Sequence, residues 1–136
     1  MARIEMMIDG LRQSPASHQW VVVLKDKSEE RYLPIWIGPF QAEALKRELT
    51  NAGPSEPIGD DPGFRSRVRS VKIDKLENNE FSAKLELVTF GKSREVDCPA
   101  AKALAIAVSA KVSIFAEEAI LNRAGISVGA QYEAIR

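Results

Sequence analysis

Phe81, Ala83, Leu85 and Leu87 alternate with polar residues in F-S-A-K-L-E-L-V-T-F, the two-residue period of a strand buried on one face. V-R-S-V-K-I-D-K-L before it and R-E-V-D-C after it read as antiparallel neighbours, joined through turns at E-N-N-E and G-K-S. The first part of the chain repeats the plan. Residues 3–10, 20–26 (W-V-V-V-L-K-D) and the run R-Y-L-P-I-W-I predict three strands, with S-P-A-S-H-Q and K-D-K-S-E-E as turns between them. Strands so close in sequence pair as a meander. Pro34 has no N–H to give to a ladder, so its strand is expected at an edge or a bulge.

Gly38-Pro39 predicts a helix start, because proline in a first turn loses a donor that would be unpaired anyway. Leu45, Leu49 and Ala52 then recur on one face at i, i+4 and i+7, with Lys46, Arg47 and Glu48 elsewhere on the surface. A second helix over 100–110 is apolar nearly all round, which predicts burial. V-S-I-F-A reads as a short strand and E-E-A-I-L-N-R-A as a short helix opened by Glu117 and Glu118. Gly125 follows where a C-terminal cap belongs. The expected fold is α+β. Its antiparallel or mixed sheet is built from two three-stranded meanders, each followed by a helix, with a short C-terminal strand and helix added. One domain over 1–126 is expected. The proline- and glycine-rich stretch 51–64 forms a long surface loop or a partly disordered one, and 127–136 a tail.

Composition narrows the function classes only a little. The 136 residues are 45% apolar and 28% charged, ordinary for a globular domain large enough to bury a core. Lys plus Arg and Asp plus Glu are both 19, so attraction to a polyanion would have to come from a local patch. Cys98 is the only cysteine, which excludes an intrachain disulfide. Charges at Arg3, Glu5 and Asp9 interrupt any signal-peptide core, and the longest apolar run, Ala103 to Val108, is too short to span a bilayer. A cytoplasmic location with no membrane partner is expected.

Several features invite chemistry. F-G-K-S at 90–93 is not a phosphate loop: the glycine needed five positions before Gly91 is Glu86, and the segment joins two strands. Arg65, Arg67 and Arg69 alternate toward Lys72, a stripe that a phosphate backbone could use, although charge runs are usually solvated faces. His18, the sole histidine, lies in a turn with no evident partner. Cys98 is either a helix-end thiolate or, more in keeping with free cysteines, a small buried residue. Trp20 and Trp36 fall on neighbouring strands and read as core. Asp97 ends a strand, and carboxylates at element ends can converge on a divalent cation that activates water. Glu117 and Glu118 also have a structural role available, favouring a helix dipole.

The segment D-C-P-A-A-K at 97–102 enters the second helix with no capping Ser, Thr, Asn or Asp after the proline, and with Lys102 in the first turn. Y-L-P-I-W-I-G-P-F-Q-A-E-A-L at 32–45, taken with E-V-D at 95–97, A-L-A-I-A-V at 103–108 and S-I-F-A-E-E-A-I-L-N-R-A-G-I at 113–126, resembles the bifunctional nuclease domain family over roughly 3–126. That resemblance implies action on DNA and RNA, and homo-oligomers. It implies a phosphodiesterase assisted by a divalent cation, Mg²⁺ or Mn²⁺. Asp97, Glu117 and Glu118 would be catalytic, with Asp97 and Glu118 holding the metal; Arg65, Arg67, Arg69 and Lys72 would hold the nucleic acid. The sequence departs from the family pattern at three places. Pro99, Ala100, Ala101 and Lys102 stand where arginine, proline, serine and aspartate are expected, Gln41 stands for the usual glutamate, and the 51–64 region lacks a threonine-histidine-aspartate helix start. A catalytically silent binding or oligomerisation module is the alternative these departures suggest, and a small-ligand-binding domain a third.

Overall fold

The structure, a computed structural model, describes residues 2–50, 66–78 and 80–127. The stretch 51–64, Arg65 and the residues after Ser127 lie outside it. Three strands, β1 (Arg3–Gln13), β2 (Trp20–Asp26) and β3 (Arg31–Ile37), lead into helix α1 (Pro39–Thr50). Three more, β4 (Ser66–Glu77), β5 (Glu80–Thr89) and β6 (Lys92–Pro99), lead into α2 (Ala100–Ala110). Strand β7 (Ser113–Glu117), helix α3 (Glu118–Ala124) and the two-residue strand β8 (Ile126–Ser127) complete the described chain. The fold is α+β, with two meanders each followed by a helix.

β7 joins the two meanders. It pairs antiparallel with β1 and parallel with β4, which gives one sheet in the order β6-β5-β4-β7-β1-β2-β3-β8. The parallel pair is possible because α2 carries the chain back across the sheet between β6 and β7. α3 touches both β3 and β4, which are well apart in that order, so the sheet curls around the helix. Buried residues of all three helices share one core with the sheet. Leu45 of α1, Leu104 of α2 and Leu121 of α3 meet Leu24, Leu33 and Ile73 there. Each such side chain contributes roughly 1.5–3 kcal/mol on leaving water.

Local chemistry explains the element ends. Gln41 Oε1 accepts from the Gly38 N–H at 2.9 Å, half of a capping box at the α1 start. Gln41 therefore does structurally what a glutamate would do there. α2 has Pro99 at its N-cap with no side-chain cap bond, so its stability rests on eight buried residues. Its other end closes with Lys111 in the left-handed region at φ 58 and a Val112 N–H bond to Ala107 O. β8 pairs only with Arg31 and Tyr32, so Pro34 sits on a stretch of β3 whose outer side has no partner among the described strands. Its missing donor costs nothing there. His18 occupies the β1–β2 turn at φ 60, exposed.

Two boundaries differ from the sequence expectation. Glu117 is the last residue of β7 rather than part of the helix, which starts at Glu118. Gly125 caps α3 in an extended conformation, φ −74 and ψ 155, not a left-handed one. The reason it is glycine is space: an added Cβ would stand 2.4 Å from Leu121 O.

Candidate functional site: a lysine and carboxylate face on the sheet

Alternation on β4, β5, β6 and β7 sends Val71, Ile73, Ala83, Leu85, Cys98, Ile114 and Ala116 into the core. The residues between them point to the other face. There the ladder sets Lys72 opposite Lys84, and Lys84 opposite Asp97. Two lysines side by side would repel, and carboxylates flank both. Lys84 Nζ lies 2.7 Å from Asp97 Oδ1 and 3.5 Å from Asp74 Oδ2. Lys72 Nζ lies 3.7 Å from Glu117 Oε1 and 3.8 Å from Glu95 Oε2, long contacts compared with the Lys84–Asp97 bond. Ser70 adds a hydroxyl bond to Glu86 at 3.1 Å on the same face.

Two irregularities in the β4–β5 register shape this face. One lies between Val68 and Ser70 and the other between Ile73 and Lys75, so Arg69 and Asp74 are the extra residues of two bulges. The first bulge shifts the alternation by one residue. Arg67, opposite Val88, then shares a face with Lys72, while Arg69 is taken out of the stripe. The regular arginine alternation read from the sequence is thus broken at Arg69; Arg65 lies outside the described residues. The second bulge leaves Asp74 without a ladder partner and beside Lys84. Its side chain is only 9% exposed, and Oδ1 is buried without a hydrogen-bond partner.

Electrostatics follow from these contacts. The Lys84 hydrogen bond and charge hold the Asp97 carboxyl below its ordinary value, with Lys75 assisting against some desolvation. Asp97 and Asp74 in turn hold the Lys84 ammonium above its ordinary value. Burial pushes the Cys98 thiol up, and Lys102 only partly offsets this. The thiol is therefore a buried small residue and not a helix-end thiolate.

Of the sequence candidates, Asp97, Glu117, Lys72 and Arg67 fall on this face. Glu118 opens α3, exposed, and among the described residues has no part in the ion-pair network. A divalent cation held by Asp97 and Glu118 does not fit the geometry. Asp97 and Glu117 each face a lysine, and among the described residues no three His, Cys, Asp or Glu side chains gather closely enough to hold a metal. Sequence reading missed Lys84 and Asp74. The alternation of β5 contained the signal for Lys84, but nothing in K-I-D-K announces a bulge.

A second feature lies on the helix side of the sheet. A cleft of about 390 Å³ runs between the β3–α1 junction (Trp36, Ile37, Gly38, Gln41) and the α2 start (Pro99, Ala100, Ala101), with Phe81 and Glu80 beside it. The stretches I-W-I-G and P-A-A, far apart in sequence, meet here. Trp36 is 45% exposed, so it is not the core residue expected from sequence.

The fold and the charged face define a small α+β domain with paired lysines and carboxylates on one side of a mixed sheet. The chain belongs to the bifunctional nuclease domain family, whose sequence model matches residues 22–129. It is also similar to an uncharacterised protein of Mycobacterium tuberculosis, described as MT1877 in strain CDC 1551 / Oshkosh and as Rv1829 in strain H37Rv. Each is 30% identical over 130 residues, spanning 91% of this chain and 77% of the relative. Among the described residues, no helix is long and apolar enough to cross a membrane.

Proposed function

We propose that the chain cleaves phosphodiester bonds in DNA or RNA. The observation that carries this reading is the family match across most of the chain, residues 22–129. The charged face supplies groups suited to the task. Lys72 and Lys84 would neutralise the non-bridging oxygens of a diester, and Arg67 on the same face would contact a neighbouring phosphate along the strand. Glu117, held loosely at 3.7 Å by Lys72, would take a proton from the water whose oxygen bonds to phosphorus, while the ester P–O bond breaks and the leaving oxygen takes a proton from solvent. Asp97 would orient Lys84. No step is routed through a metal, because a lysine ammonium faces each of Asp97 and Glu117. The test is incubation of pure protein with single-stranded DNA and RNA, in Mg²⁺, in Mn²⁺ and in chelator. Cleavage that persists in chelator and is lost in Glu117→Gln and Lys72→Ala supports the reading; absence of cleavage in all three conditions refutes it.

A second reading is a catalytically silent member that binds nucleic acid or assembles with itself. The Lys84–Asp97 bond and the unfavourable Lys102 at the α2 start favour it. Retained binding of labelled RNA without turnover, with a homo-oligomer in light scattering, is its expected result. Robust turnover overturns it. The cytoplasmic location stays part of the proposal and is checked by cell fractionation.

A further inference from the structure

We propose that Asp74 and Asp97 form a cation slot that the chain fills with its own Lys84 ammonium, and that this excludes divalent metal from the charged face. One nitrogen atom lies within 3.5 Å of both carboxylates, at 2.7 Å from Asp97 Oδ1 and 3.5 Å from Asp74 Oδ2. The Asp74 side chain is nine-tenths buried at a β-bulge, and its Oδ1 has no hydrogen-bond partner. A buried carboxylate oxygen left unpaired is costly, and bulges re-aim side chains rather than scatter them. Asp74 is thus built for a cation but only half satisfied by a monovalent one. Two carboxylates with waters are a common donor set for a hard divalent ion such as Mg²⁺ or Mn²⁺.

Lys84 prevents that binding for two reasons. Its ammonium stands where the ion would stand, and a second positive charge within a few ångströms is repelled. Its tether also holds it at the slot, so free metal must compete with a cation of high effective concentration. Lys72, opposite Lys84 in the ladder, adds a second positive charge beside the slot. The lysine replaces the metal. Carboxylates that look like ligands in the sequence are occupied by a residue whose role the sequence does not advertise.

The experiment reads cation binding, so it does not depend on whether the chain cleaves nucleic acid. Thermal unfolding and isothermal titration with MnCl₂ are run on the wild type, Lys84→Met, Lys84→Gln and Lys84→Met combined with Asp74→Asn. The wild type is expected to show no saturable Mn²⁺ binding and no rise in Tm. Either lysine variant, folded by circular dichroism, is expected to bind Mn²⁺ saturably with a Tm rise on the order of 5 °C. The double variant loses both effects. Saturable binding by the wild type that disappears in Asp97→Ala overturns the proposal, as does the absence of Mn²⁺ binding in both folded lysine variants.

Discussion

Lys84 Nζ donates to Asp97 Oδ1 at 2.7 Å across the β5–β6 ladder, where the two residues are direct partners. The partners differ in surroundings: Asp97 is 75% exposed, while the lysine also serves the buried Asp74. Removing Asp97 leaves a lysine with another acid beside it; removing Lys84 leaves a buried carboxylate alone. Lys84→Ala is therefore expected to lower the urea midpoint more than Asp97→Ala. Asp97 has a depressed folded-state pKa, so its share of stability is full above the ordinary carboxylate range and fades as pH falls through the depressed value. In Lys84→Met, the Asp97 carboxyl followed by NMR is expected to titrate at higher pH than in the wild type.

Asp26 gives a second acid effect, at a buried site. Its side chain is 2% exposed at the end of β2, and burial alone would raise its pKa. The Ser28 N–H at 2.8 Å, the Ser28 hydroxyl at 3.0 Å and Arg31 at 3.2 Å outweigh burial and leave the carboxyl below its ordinary value. Stability from this group is present above about pH 4 and is lost as pH falls further. Asp26→Ala is expected to cost roughly 1–3 kcal/mol at neutral pH in urea denaturation. Asp26→Asn should flatten the acid limb of the stability curve, which thermal scans between acid and neutral pH would read.

Strands and helices were legible because their signals are local. Alternation in β5, the Gly38-Pro39 start and the apolar run of α2 each follow from side-chain periodicity, and the two meanders come out as expected. The sheet order was not legible, because the β4–β7 and β1–β7 pairings join segments far apart in the chain. The site was half legible. Asp97, Glu117, Lys72 and Arg67 could be chosen from sequence, but their partners could not. A bulge is a register event between two strands, so neither the unpaired position of Asp74 nor the removal of Arg69 from the arginine stripe leaves a mark on one strand alone. Trp36 was misjudged because a tryptophan between two isoleucines looks like core until the cleft is seen.

Gly125 tests the distinction between conformational and steric need. Its φ of −74 suits any residue, so backbone strain gives no reason to keep glycine. A methyl group there would meet Leu121 O at 2.4 Å and Leu121 Cδ1 at 2.8 Å. The carbonyl cannot retreat easily, because it accepts the Gly125 N–H at 2.8 Å. Gly125→Ala is expected to destabilise by roughly 1–3 kcal/mol, the scale of overpacking. An unchanged urea midpoint would show that the α3 end relaxes freely.

The α2 start offers the opposite case, a stabilising change. Lys102 is exposed in the first turn of a helix whose N-cap is Pro99 and which has no acidic residue in that turn. A positive charge near unpaired N–H groups opposes the macrodipole, and a negative one favours it. Lys102→Glu is expected to raise stability by roughly 0.5 kcal/mol at low ionic strength, less in high salt. The same charge partly offsets burial at the Cys98 thiol, which lies just before the helix. Reversing it removes that offset, so the thiol should react more slowly with a disulfide reagent in the variant than in the wild type. The two readouts separate the causes: slower thiol reaction without added stability would place the influence of Lys102 on Cys98 and not on the helix.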